Sequence, residues 1–125
     1  MKARTTFYPD RTREISAALA TLRSDQSAVM HAFGQLSRAA MQPGALSATT
    51  KELIALAVGI ASHCDGCIGF HVKALVALGV TRAELEETLA VAVYMGGGPS
   101  LMSSANALTA YEQFQRETAE AAESP

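Results

Sequence analysis

The sequence predicts an all-α fold of about six helices, and three observations carry that expectation. Apolar residues recur at three- and four-residue intervals through most of the chain, the period of one helix face. Start and stop residues for helices fall between those runs, among them Asp10, Ser47, Thr81, Pro43-Gly44 and Gly79. No segment alternates apolar and polar residues like a half-buried strand, and no long internal repeat is present. With 125 residues, the chain is expected to be one domain over 1–125, irregular or frayed at 1–9 and 116–125.

The elements follow in order. Asp10, just after Pro9, can N-cap a first helix with Ile15, Leu19 and Leu22 at helical spacing. Ser24 or Asp25 starts a second helix, carrying Val29, Phe33 and Leu36 and stopping before Pro43-Gly44. Ser47 to Thr50 supplies caps for a third, whose run from Leu53 to Ile60 is apolar nearly all round, as in a central helix. A break near Ser62–His63 separates it from a fourth helix that begins at Cys64 and stops at Gly79. Thr81 to Glu84 forms a capping-box pattern before Leu85, Leu89 and Ala92. After Gly96 to Ser100, Pro99 suits the first turn of a last helix with Leu101, Ala105, Leu108 and Phe114 apolar.

Composition narrows the functional classes. The net charge of −2 gives no electrostatic reason to expect nucleic acid or an anionic membrane as partner. No apolar stretch reaches the ~18–20 residues that span a bilayer, and the first residues lack a signal-peptide core. A cytoplasmic protein is expected. Charged residues make up 18% and hydrophobic ones 49%, so a lone copy would expose apolar faces, which predicts a homo-oligomer built through helical interfaces.

The chemistry concentrates in HCDGCIGFH, His63 to His71, which holds both cysteines and two of the three histidines. On a helix, Cys64, Cys67 and His71 fall three, four and seven apart and so share one face. Two thiols at that spacing can close a disulfide, and the positive helix end favours the reactive thiolate. His71, one turn beyond Cys67, can accept or hold its proton. Gly66 and Gly69 leave room for a substrate or partner backbone. Two other readings stay open: small buried hydrophobes, and a zinc site of Cys64, Cys67 and His71 completed by Glu52 or His63. By spacing alone, Glu52 reads as an exposed first-turn carboxylate near Ser47–Thr50, ahead of an inward functional one.

The segment KELIALAVGIASHCDGCIGFHVKALVALGV resembles the carboxymuconolactone decarboxylase and alkylhydroperoxidase D superfamily. Glu52, a CxxC twelve positions on at Cys64 and Cys67, and His71 four beyond stand in that family's register. The likeness runs from about Ala28 to Phe114 and includes GGGPS. It implies an all-helical trimer or hexamer with its site near a subunit interface, and no cofactor or metal. Cys67 would be the peroxidatic thiolate that attacks a hydroperoxide, and Cys64 would resolve it as a disulfide for an external thiol to reduce. His71 and Glu52 would relay the proton, which reverses the reading of Glu52 from spacing. The best-studied branch has a histidine where this chain has Gly66, and His63 lies before Cys64 instead. That departure points to disulfide exchange as the more robust activity. The lactone-decarboxylating branch generally lacks the cysteine pair, so acid–base decarboxylase chemistry through Glu52 and His71 is the lesser alternative.

The remaining candidates read as structural. His31 is expected at the surface or partly buried, and Tyr94, Met95 and Met102 in the core or an interface. Gly96 to Gly98 lacks the Lys-Ser/Thr of a phosphate loop.

Overall fold

Residues 7–123 are described in the computed structural model of the chain, and they form six helices in series. These are α1 (Phe7–Asp25), α2 (Ser27–Met41), α3 (Ala48–Ala61), α4 (Asp65–Ala77), α5 (Arg82–Gly96) and α6 (Gly98–Glu123). No strand occurs among the described residues. Helices α3, α4 and α6 pack on one another, α5 closes over α3 and α6, and α1 lies along α4 and α6. Among the described residues, helix α2 packs only on α1 and α3. One core joins Leu56 and Ile60 of α3, Ile68, Val72 and Leu75 of α4, Leu85 and Leu89 of α5, and Ala107, Ala110 and Phe114 of α6.

The local signals explain where helices begin and end. Ser47 Oγ accepts from Thr50 N–H at 3.1 Å, and Thr81 with Glu84 makes the full capping box. Gly79 stands at φ 79°, with Gly79 N–H bonded to Val76 O and Val80 N–H to Leu75 O. This is the Schellman closure a left-handed glycine permits. Gly97, at φ 72°, turns the chain from α5 into α6.

Several expectations are corrected. Residues 7–9, expected to be irregular, are helical, and Asp10 is no N-cap but lies inside α1, bonded to Arg13 at 2.6 Å. Pro9 is tolerated there because a first turn needs no partner for its nitrogen; the expectation for 1–6 lies outside the described residues. α1 runs on to Asp25, so Ser24 and Asp25 start nothing, and α2 begins at Ser27. The tail expected to fray from 116 stays helical to Glu123, since Ala and Glu are strong helix formers and Glu117 pairs with Arg13 of α1 at 3.1 Å; residues 124–125 lie outside the described set. α6 also turns a different face inward. Ser100, Ser103, Ser104, Ala107 and Ala110 are buried while Leu101 and Ala105 are exposed. Small side chains there let α6 lie close to its neighbours, and a Cβ on Gly96 would collide with Ser100.

The apolar surface is extensive. α2 buries none of its residues, leaving Val29, Phe33 and Leu36 exposed. The central α3 still exposes Ile54 and Val58, and Val91, Tyr94, Met95 and Met102 are exposed on α5 and α6. Tyr94, Met95 and Met102 therefore lie outside this chain's own core. No helix among the described residues is long and apolar enough to cross a membrane.

Candidate functional site

The turn between α3 and α4 sets the two cysteines. Ser62 caps α3, and His63 adopts the left-handed conformation at φ 55°, which histidine enters more readily than most residues. His63 N–H then bonds Ile60 O at 3.1 Å and Cys64 N–H bonds Gly59 O at 3.0 Å, a second Schellman closure. One residue thus reverses the chain, and the residue that closes α3 opens α4. Cys64 is the N-cap of α4, not its first helical residue as the sequence suggested, and its Sγ accepts from Cys67 N–H at 3.2 Å.

Cys64 and Cys67 are joined by a disulfide with their Cα atoms 5.2 Å apart. Both are half-buried, so the bond is neither sealed in the core nor fully open. The buried Gly59 of α3 brings that helix close: a Cβ there would stand 3.1 Å from Cys67 Cβ. The N–H groups of the first turn of α4 point toward this end, where negative charge on a sulfur is favoured once the bond is reduced.

One turn further along α4, His71 Nδ1 lies 2.7 Å from Glu52 Oε1. Glu52 sits in the second turn of α3, not the first, and its side chain is 18% exposed against 32% for His71. The exposed first-turn reading of Glu52 is therefore overturned. A carboxylate only accepts, so Nδ1 carries the proton in this bond and Nε2 is left as the basic nitrogen. The arrangement is a carboxylate-oriented imidazole on the same helix as a disulfide.

The other sequence candidates separate from this group. His63 Nδ1 stands 3.4 Å from Ser103 Oγ on α6, so its ring is engaged toward α6. His31 is exposed, beside Arg23 and Arg38 in a shallow concavity of α1 and α2. Among the described residues no three His, Cys, Asp or Glu side chains converge in a way that could hold a metal ion. Gly66 faces α1, where a Cβ would come within 3.2 Å of Ile15 Cδ1. A histidine at that position would have to displace Ile15.

Two residues at this end went unnoticed in the sequence. Tyr8, buried at the start of α1, donates its hydroxyl to Asp65 Oδ1 at 2.6 Å, and its N–H donates to Gln113 Oε1 at 2.8 Å. Burial first, then the bond to Asp65 and its charge, hold the Tyr8 phenol well above the ordinary range, so it remains a donor. For Asp65 the available signal was its place directly after Cys64. Tyr8 carried no signal beyond being aromatic in a segment expected to be irregular.

Comparisons with known proteins agree with this architecture. Residues 27–110 match the carboxymuconolactone decarboxylase family, close to the span expected from the motif. An uncharacterised protein of Cupriavidus necator is 39% identical over 108 residues, covering 86% of this chain and 96% of its own. The crystal structure of an apo carboxymuconolactone decarboxylase family protein from Legionella pneumophila superposes with a TM-score of 0.87 at 50% identity, covering 89% of this chain and 99% of its own. A family member from Thermotoga maritima, for which involvement in the antioxidative response has been suggested, superposes with a TM-score of 0.70 at 28% identity, over 94% of this chain and 96% of its own. Six helices in this order, a matched span of two-thirds of the sequence and these relatives converge: the chain belongs to the carboxymuconolactone decarboxylase family.

Proposed function

We propose that this chain is a thiol-dependent antioxidant enzyme that reduces hydroperoxides or exchanges disulfides through Cys64 and Cys67. The observation that carries the reading is the disulfide at the N-terminal end of α4, followed one turn later by a histidine bonded to a carboxylate. The role suggested for the Thermotoga relative agrees with it. His71 Nε2, oriented by Glu52, takes the thiol proton of Cys67 directly or through water. The thiolate attacks the terminal oxygen of R–OOH, the O–O bond breaks, and the alkoxide leaves with that proton as ROH. Cys67 is then a sulfenic acid. Cys64 attacks its sulfur, the S–O bond breaks, water leaves and the disulfide forms. Two external thiols return the pair to the reduced state and depart as one disulfide.

The same reading makes the active form a homo-oligomer, a trimer or hexamer, that covers Val29, Phe33, Leu36, Val91, Tyr94 and Met95. Sedimentation at micromolar concentration is expected to show no monomer. A second reading, acid–base catalysis by Glu52 and His71 alone, draws on the fact that their bond involves neither sulfur. The test is thiol titration of the reduced protein after one equivalent of hydroperoxide. Two thiols should disappear, with Cys67→Ser abolishing the reaction and Cys64→Ser leaving a trapped sulfenic acid. Two surviving thiols in a folded protein would reject the redox reading, and full turnover in Cys→Ser variants would select the acid–base one.

A further inference from the structure

The dipeptide inside the CxxC carries a charge whose placement the redox reading does not use. Asp65 is the first helical residue of α4, between the N-cap Cys64 and Gly66. Its backbone is fixed by the capping turn, but its side chain is exposed and would be free to rotate near the sulfurs. One contact removes that freedom: the Tyr8 hydroxyl, 2.6 Å from Asp65 Oδ1. Tyr8 itself is immobilised by its bond to Gln113 of α6 and by burial to 4% exposure. The same face of α1 is seated on α4 through its small residues. Cβ atoms on Gly66 and Gly69 would stand 3.2 Å from Ile15 and 2.9 Å from Thr12. Helix α1 thus presents a phenol to the carboxylate that directly follows Cys64 in the chain. Helix α1 itself lies outside residues 27–110, the span of the family match.

We propose that Tyr8 is a positioning residue that sets the thiol–disulfide equilibrium of Cys64 and Cys67 by holding the Asp65 carboxylate against α1. The inference rests on reading the pair as a redox centre. A carboxylate near the sulfurs opposes a thiolate and so favours the disulfide over the reduced pair. The hydroxyl draws off part of that charge and fixes the carboxylate toward α1, which makes the disulfide easier to reduce. Removing the hydroxyl leaves the charge undiminished and mobile; removing the charge eliminates the opposition altogether.

The test equilibrates wild-type protein, Tyr8→Phe, Asp65→Asn and the double variant with reduced and oxidised glutathione and quantifies the disulfide fraction. Phenylalanine fills the same buried space, so the fold is retained. Asp65→Asn is expected to shift the equilibrium constant about fivefold toward the dithiol, as for loss of a unit charge near the sulfurs in a half-solvated site. Tyr8→Phe should shift it about twofold toward the disulfide, because the hydroxyl tempers that charge without removing it. In the Asp65→Asn background, Tyr8→Phe should change nothing, because no charge remains to be held. Shifts of the same sign in both single variants, or a Tyr8→Phe shift that persists without Asp65, would overturn the assignment. No peroxide enters the measurement, so a chain without peroxidase activity leaves it valid. A wild-type pair that glutathione never reduces would refute the redox centre and this inference together.

Discussion

Replacing Glu52 with glutamine isolates the charge behind His71. The amide oxygen can still accept from Nδ1–H at the site of the present 2.7 Å bond, so geometry is kept and only the negative charge is lost. That charge acts when the imidazole takes the thiol proton and becomes cationic. Charge centres about 4 Å apart interact by ~4 kcal/mol at an effective dielectric near 20. His71 is 32% exposed, so solvent screening reduces this to about 2 kcal/mol. Such a loss in the transition state corresponds to ~30-fold in rate. Stopped-flow mixing of reduced protein with a small hydroperoxide, following loss of the Cys67 thiolate, should show that decrease near neutral pH. The same variant should lose only about 1 kcal/mol of folding stability, because one partly exposed hydrogen bond is weakened and none is orphaned. An unchanged rate in folded Glu52→Gln would refute the proton relay, even if the disulfide still cycles.

Leu75→Ala, at a side chain with no exposure, should cost about 3 kcal/mol in a denaturant titration, from lost burial and the cavity it leaves. Gly66→His should cost about 1–3 kcal/mol through overpacking, and adding Ile15→Ala should recover most of that stability, since Ile15 is what the new side chain meets. Because the folded chain binds the Tyr8 proton more tightly than the unfolded chain does, its contribution is complete below pH ~10 and declines as pH rises beyond that. Thermal unfolding of wild type between pH 9 and 12 should therefore fall more steeply than that of Tyr8→Phe.

How far the sequence reaches depends on whether a feature is local. The capping box at Thr81, the left-handed Gly79 and the reversal near His63 involve residues within five positions, and all three were legible. The pairing of Cys64 with Cys67 was legible for the same reason, because a CxxC on one helix turn has little freedom. The Glu52–His71 bond was not legible from spacing: whether Glu52 faces inward depends on how α3 rotates against α4. The resemblance supplied that orientation, and the bond agrees with it. α1 was misjudged at its start because Pro9 and Asp10 look like a boundary, and their helical state depends on Tyr8 docking between α4 and α6. The buried serines of α6 were missed because burial by close approach leaves no apolar stripe to read.

The bond between Tyr8 and Gln113 spans 105 positions of sequence, and the Arg13–Glu117 pair spans 104. During synthesis α1 is made long before the residues that anchor it. Until about residue 117 has left the ribosome, the first of its helices has no complete seat, and Gly66 and Gly69 of α4 lack the cover that Ile15 and Thr12 will give them. The seating of the first helix therefore waits for the last one.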